Sequence, residues 1–242
     1  MALEYRNELK YVVSVQQLAC LRSRIKPLMA LDGHAAEKGD YNIRSVYFDD
    51  YKNTCYYENE DGTSPREKFR IRTYNGDPEK IFLELKRKER GKTHKDTCKL
   101  TREQCKAFFE GRVPADQEPD APVLRNAPVL RKFQVKYETE LYRPKVMVEY
   151  EREPYVYRDG NVRITFDTDI RSSNRVDQFF EERIYARPVM PLGYHLMEVK
   201  FDEFLPDHIY RSLQLDNLQQ TAFSKYYLCR KYNMGGIKGN GF

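Results

Sequence analysis

Tryptophan is absent from the 242 residues and histidine occurs only four times. No apolar run approaches the roughly 20 residues that a membrane-spanning helix needs, which excludes a chain embedded through helices. Twelve glycines and twelve prolines exclude collagen-like and linker-like polymers. The five cysteines (Cys20, Cys55, Cys98, Cys105 and Cys229) are odd in number, widely spaced and lack a Cys-x-x-Cys pair. That argues against a disulfide framework or a zinc site and for reduced thiols. Neither a Gly-x-x-x-x-Gly-Lys loop nor a Gly-x-Gly-x-x-Gly turn occurs, which disfavours P-loop, kinase and Rossmann sites. His195-Leu-Met-Glu198 has a ligand-like spacing, but in a strand these two residues face opposite sides. No charged-then-apolar leader follows Met1, so the expected location is the cytoplasm, with attachment to the inner membrane only through a partner.

Charge is what the chain has in quantity. One third of its residues are Asp, Glu, Lys or Arg, and mean hydropathy is −0.81. Lys and Arg total 42 against 37 Asp and Glu, a net charge of only +5. Nineteen Tyr and thirteen Phe supply core material, which excludes wholesale disorder. The mild net charge also disfavours a nucleic-acid binder.

Alternation predicts strands over 4–13, 42–49, 66–74, 80–89, 93–100, 145–152, 154–158, 161–169, 178–186 and 194–202. Ser14-x-x-Gln17 and Thr101-x-x-Gln104 read as capping boxes that open helices, stopped by Pro27 and Gly111 respectively. Further helices are expected over 50–60 (or a turn), 129–141, after Pro206 and from Phe223 to Tyr232. The Pro-rich stretch 112–128 reads as an excursion within one domain spanning 1–242, and 235–242 as a frayed tail. Strands that dominate, with helices at the start, middle and end, define an α+β chain on an antiparallel sheet.

The cations recur with the strand period. Lys68, Arg70 and Arg72 alternate with Phe69, Ile71 and Thr73; Glu84, Lys86 and Lys88 alternate with Leu83, Leu85 and Arg87. Lys95, Thr97 and Lys99 repeat the pattern, and Arg163, Thr165 and Asp167 alternate with Val162, Ile164 and Phe166. An acid and a base two apart recur as Glu8-Leu-Lys10, Glu84-Leu-Lys86 and Glu198-Val-Lys200. One reading is a solvated outer face of weak cross-strand ion pairs. The other is a lumen carrying the charged alternates while the apolar ones face outward onto helices. A lumen of many cations demands a polyanion, and phosphate chains suit Arg forks and Lys point charges. Glutamates there would hold a divalent metal. Asp167 is expected to neutralise Arg163, Arg6 and Arg44 to lie at the surface, and Tyr150 to wall the lumen.

The phrases ELKY, SVYFDD, KFRIRTYN, FLELKRKE, VEYER, VRITFDTDI, MEVKF and FSKYY, in this order over about residues 3–232, resemble the VTC-type polyphosphate polymerase domain, stand-alone bacterial type. That family belongs to the triphosphate tunnel (CYTH-like) superfamily. The resemblance implies a closed antiparallel eight-stranded β-barrel with flanking helices. It also implies transfer of the ATP γ-phosphate onto polyphosphate, with Mn2+ or Mg2+ as cofactor and ATP and polyphosphate as partners. Residue by residue it points to Lys10, Arg70, Arg72, Lys86, Arg152, Arg163 and Lys225 as catalytic. Lys95, Tyr150, Lys68, Lys88, Lys200 and Ser224 would bind substrate; Glu198, with Glu8 and Glu84, would hold the metal. Ala222 and Lys88 stand where the yeast-type domain has Lys and His, respectively. A tunnel triphosphatase and a non-catalytic polyphosphate-binding module are the competing functions.

Overall fold

The computed structural model describes residues 5–35, 37–114, 128–215 and 217–233. Most of the Pro-rich stretch and the whole expected tail lie outside them. In chain order the elements are β1 (Asn7–Ser14), α1 (Val15–Ile25), β2 (Ala30–Leu31), β3 (Tyr41–Asp49), α2 (Thr54–Glu60), β4 (Arg66–Tyr74), β5 (Ile81–Glu89) and β6 (Lys92–Leu100). Then come α3 (Arg102–Phe109), α4 (Pro128–Thr139), β7 (Arg143–Tyr157), β8 (Val162–Ser173), β9 (Arg187–Pro188), β10 (Tyr194–Phe201), α5 (Asp207–Ser212) and α6 (Lys225–Asn233). Both capping boxes form as read. The Ser14 hydroxyl accepts from the Gln17 N–H at 3.2 Å while the Gln17 side chain accepts from the Ser14 N–H at 2.9 Å. Ser14→Ala should therefore cost about 1 kcal/mol, visible as a lower urea midpoint at unchanged slope.

The eight long strands form one antiparallel sheet in the order β1-β10-β8-β7-β3-β4-β5-β6. Their outward alternates are apolar and covered. Phe48, Phe69, Leu83 and Leu85 pack in a core with Phe108 and Phe133 from α3 and α4. Val13, Ile164, Phe166, Met197 and Val199 pack with Leu18, Leu21 and Ile25 of α1 and with Ile209 of α5. Burial of the outer face obliges the charged alternates to face inward, because side chains alternate strictly along a strand.

The sheet curls round, but the expected closed barrel is not formed. Among the described residues, β1 and β6 meet only where Arg6 and Thr93 exchange backbone hydrogen bonds of 2.8 and 2.9 Å. Beyond that point the chain leading into α6 takes the edge of β1. Thr221 N–H donates to the Lys10 carbonyl at 2.8 Å, and Gln220 pairs with Tyr11. With β1 so occupied, β6 keeps an open edge among the described residues.

Three local expectations also change. The two strands read at 145–152 and 154–158 are one, β7; Pro154 is tolerated because beyond β3 its neighbour is Asp32, whose N–H donates to the Pro154 carbonyl at 3.0 Å while its carbonyl accepts from Ala35, so no N–H is missed there. The stretch 178–186 is not a strand. Arg44 Nη1 takes the Phe179 and Glu181 carbonyls at 2.8 and 2.6 Å, and Phe179 packs against Phe109 at 5.1 Å, so those groups are withdrawn from any ladder. Arg44 is accordingly buried, bound also to Glu149 at 2.7 Å, and not a surface residue. Arg6 does lie near the surface, paired with Asp202 at 2.7 Å.

Candidate functional site: a cationic cavity inside the curled sheet

The inward alternates of β1, β4, β5, β7 and β10 surround a cavity of about 370 Å3, closed on one side by Gln220–Ser224 and the start of α6. Ten cationic side chains line it: Lys10, Arg66, Lys68, Arg70, Arg72, Lys86, Lys88, Arg152, Lys200 and Lys225. Among the described residues only two carboxylates, Glu8 and Glu198, do so.

The acid–base repeats explain how so much charge is held. β1 and β10 run antiparallel with Glu8 opposite Lys200 and Lys10 opposite Glu198, so the two motifs neutralise each other reciprocally. Glu8 also accepts from Lys86 at 2.8 and 2.9 Å, drawing β5 towards β1. Glu198 lies 2.9 Å from Lys225, 3.3 Å from Arg152 and 3.4 Å from Lys200. Burial pushes its carboxyl up, but Lys225, Lys200, Lys10 and Arg152 together hold it well below the usual range. Glu8 behaves alike, burial being outweighed by Lys10, Lys86 and Lys200.

Asp167 of the neighbouring strand β8 anchors the same cations from behind. It takes Arg152 through two bonds of 2.6 and 2.7 Å and Lys225 at 2.5 Å. Its partner is therefore Arg152, not Arg163. Arg163 reaches away from the cavity lining, pairing with Asp32 at 3.0 Å and donating to the Tyr41 hydroxyl at 2.9 Å. The second cluster centres on Glu84, which is 1% exposed and set behind the lining. Arg70 binds it at 2.6 Å, Lys95 at 3.1 Å and Arg72 at 3.8 Å. Glu84 is thus turned to the arginines and stands outside the cavity lining. Arg70 is further fixed by the Tyr47 hydroxyl at 2.9 Å, and Arg72 by Ser45 at 3.0 Å and the Tyr150 hydroxyl at 3.1 Å.

Ser224 caps α6, its hydroxyl accepting from the Tyr227 N–H at 3.2 Å. The positive end of that helix and Lys225 thus face the cavity together. Its placement depends on Asp49, which had no role in the sequence reading. Asp49 is fully buried, accepts from the backbone N–H of Asp50, Cys55 and Tyr56 at 2.9–3.1 Å, and takes the Tyr226 hydroxyl at 2.5 Å. Arg230 of α6 also reaches Asn53 at 2.8 Å. Lys68, at the rim, bonds Asn59 at 2.6 Å and Ser224 at 3.4 Å.

Of the sequence-expected residues, Glu8, Lys10, Lys68, Arg70, Arg72, Lys86, Lys88, Tyr150, Arg152, Glu198, Lys200, Ser224 and Lys225 line the cavity. Lys95 and Glu84 touch it through Arg70 and Arg72, and Arg163 stands apart. Sequence reading missed Tyr47, which shares the inward phase of β3 with Ser45; Arg66, which continues the phase of Lys68, Arg70 and Arg72 at the start of β4; Asn59 of α2; and Gln220–Phe223, whose irregular backbone carries no periodic signal.

Among the described residues, no group of three or more His, Cys, Asp or Glu side chains converges on a metal-sized site. Mg2+ and Mn2+ do not require one; one or two carboxylates with substrate phosphate oxygens and water suffice. Glu8 and Glu198, hard oxygen donors facing the cavity, fit an ion carried in with a phosphate chain.

A curled antiparallel sheet enclosing a cation-lined cavity defines a triphosphate-tunnel, phosphoryl-handling protein. The VTC domain family model matches residues 5–233, and the chain belongs to that family. A putative adenylyl cyclase from Hippeastrum, described as having a dominant triphosphatase activity, is 14% identical. The match covers 94% of this chain and 96% of that one at a TM-score of 0.50, a likeness of fold. The PH1819 protein of Pyrococcus horikoshii is 14% identical over 94% and 99% of the two chains at a TM-score of 0.48. A putative adenylate cyclase of Bacillus halodurans is 19% identical over 88% of each at 0.43. No curated protein matches the chain. No helix among the described residues is long and apolar enough to cross a membrane.

Proposed function

We propose that the protein is a metal-dependent phosphotransferase that moves the γ-phosphate of ATP onto a polyphosphate chain within this cavity. The observation that carries this reading is the excess of ten lining cations over two carboxylates, which a multiply charged anion relieves. A terminal oxygen of the polyphosphate chain attacks the γ-phosphorus in line, a new P–O–P bond forms, the bond to the β-phosphate oxygen breaks, and ADP leaves. Such transfer needs positioning and charge neutralisation more than covalent help. Arg70, Arg72 and Arg152 present forked donors to non-bridging oxygens. Lys10, Lys86, Lys200 and Lys225 offset charge on the transferring and leaving groups, and Ser224 donates a hydrogen bond and does not attack. A divalent ion held by Glu198 and Glu8 would add charge neutralisation on the phosphate oxygens.

Incubation with ATP and Mn2+ tests the reading. Acid-labile chains that lengthen with time, with ADP released in step, are expected; orthophosphate without chain growth would assign a triphosphatase, and binding without turnover a polyphosphate-binding module.

The rim lysine makes binding pH-dependent. Burial, with Arg66 and Lys10 nearby, pushes Lys68 down to about 7, whereas an unfolded lysine stays protonated to about 10.4. Phosphate chains prefer the protonated form, so tripolyphosphate affinity should fall as pH rises through about 7. Calorimetry from pH 6 to 9 should show a shallower fall in Lys68→Arg. Without ligand the sign reverses. The unfolded state keeps the proton that the folded state has lost, so this residue adds stability as pH rises between about 7 and 10.4.

A further inference from the structure

The open edge of β6 gives the cavity a side. Its register places Lys95 opposite Lys86, Thr97 opposite Glu84 and Lys99 opposite Phe82, so all three face the interior of the curl. All three are nevertheless exposed, while Cys98 and Leu100 on the other face are buried. Water therefore reaches the inner face along this strand. Among the described residues the seam is bridged only at Arg6 and Thr93.

The end of the cavity beyond Arg72 is walled. Tyr41 and Tyr74 pack edge-on at 5.7 Å, Tyr74 and Phe82 at 6.1 Å, Ile43 is fully buried, and the lining stops at Arg72 and Tyr150. An extended anion that reaches Arg72 meets this aromatic row in front and the open inner face of β6 beside it. Lys95 touches Glu84, the acid that holds Arg70 and Arg72. Lys99 stands four residues on, about 13 Å along the strand. Near Lys99 lies Asp77, itself paired with Lys80 at 3.2 Å.

We propose that this open seam is a side exit for polyphosphate longer than the cavity holds, the chain leaving over Lys95 and Lys99 and not threading from end to end. The inference rests on the cavity binding phosphate chains. A linear, flexible anion with one charge per repeat fits lysines spaced along one strand face, because each lysine meets a successive phosphate without demanding a fixed shape.

Lys99 is the discriminating position, being exposed and outside the cavity lining. Binding of tripolyphosphate and of long-chain polyphosphate is measured by calorimetry for the wild-type protein, Lys99→Glu and Lys99→Gln. Lys99→Glu should weaken the long chain about tenfold and Lys99→Gln less, while tripolyphosphate stays within about twofold. Unchanged long-chain affinity in Lys99→Glu, with normal tripolyphosphate binding, overturns the side exit and leaves the cavity reading intact. A wild-type protein that binds no tripolyphosphate overturns both. Equal losses for both ligands in both variants overturn the exit, since Lys99 would then act on the cavity itself. An equal loss of affinity for a single-stranded oligonucleotide would reassign the surface to nucleic acid and overturn it too.

Discussion

Glu84→Gln is expected to lower the melting temperature by about 10 °C, the largest single loss of stability from any cavity residue. Glu84 is 1% exposed and is the one carboxylate that Arg70, Arg72 and Lys95 all approach within 4 Å. Burial pushes its carboxyl up, yet those three cations hold it well below the ordinary range. Removing the charge while keeping the shape leaves the buried Arg72 and the half-buried Arg70 without their shared counter-ion, a loss of about 3–5 kcal/mol. The same logic makes the damage reversible by ligand. Saturating tripolyphosphate should raise the melting temperature more in Glu84→Gln than in the wild type, because the anion substitutes for the missing charge. Scanning calorimetry with and without tripolyphosphate reads both effects; an equal ligand-induced rise in the two proteins would mean that the phosphates do not reach Arg70 and Arg72.

Lys225→Ala is expected to reduce transfer about 10²–10³-fold while the sheet stays folded. The Lys225 ammonium lies between Asp167 and Glu198, at 2.5 and 2.9 Å, and 4.6 Å from the ring of Tyr150. Burial would lower its proton affinity, but the two carboxylates raise it, so the charge persists at any working pH. Asp167 keeps both bonds to Arg152, and Glu198 keeps Lys200 and Arg152, so neither acid is stranded. What disappears is one fixed charge at the start of α6. Single-turnover transfer from ATP, compared with far-ultraviolet circular dichroism and melting, separates the loss of rate from unfolding. Undiminished transfer would remove α6 from the active centre.

Much of this arrangement is written in periodicity. Lys68-Phe69-Arg70-Ile71-Arg72 can only place its arginines opposite its apolar residues, and burial of Phe69 and Ile71 then decides which side is inside. The same reasoning finds the repeated Glu-x-Lys motif. It does not find which acid meets which base. Arg163 and Arg152 both lie on inward strand faces, and only the β7–β8 register, with Arg152 opposite Asp167, decides that Asp167 takes Arg152. Asp49 was equally unreadable, since a buried aspartate that accepts three N–H groups and a tyrosine hydroxyl looks, in a string of letters, like any Asp before a turn. Closure failed for a related reason. Whether two edges zip together depends on what else competes for them, and Gln220–Thr221 lie in irregular chain far from both.

The first strand's partner is nearly the last one made, with Lys10 lying against Glu198 and capped in turn by Thr221. During synthesis β1 therefore waits while the chain from α1 through β9 is produced. The ring of charges can assemble only after α6 has emerged, so this half folds late and slowly by the measure of sequence separation. A ribosome stalled before Ser224 would hold a chain with its apolar strands made and its polar interior unfinished, the species on which chaperones would be found.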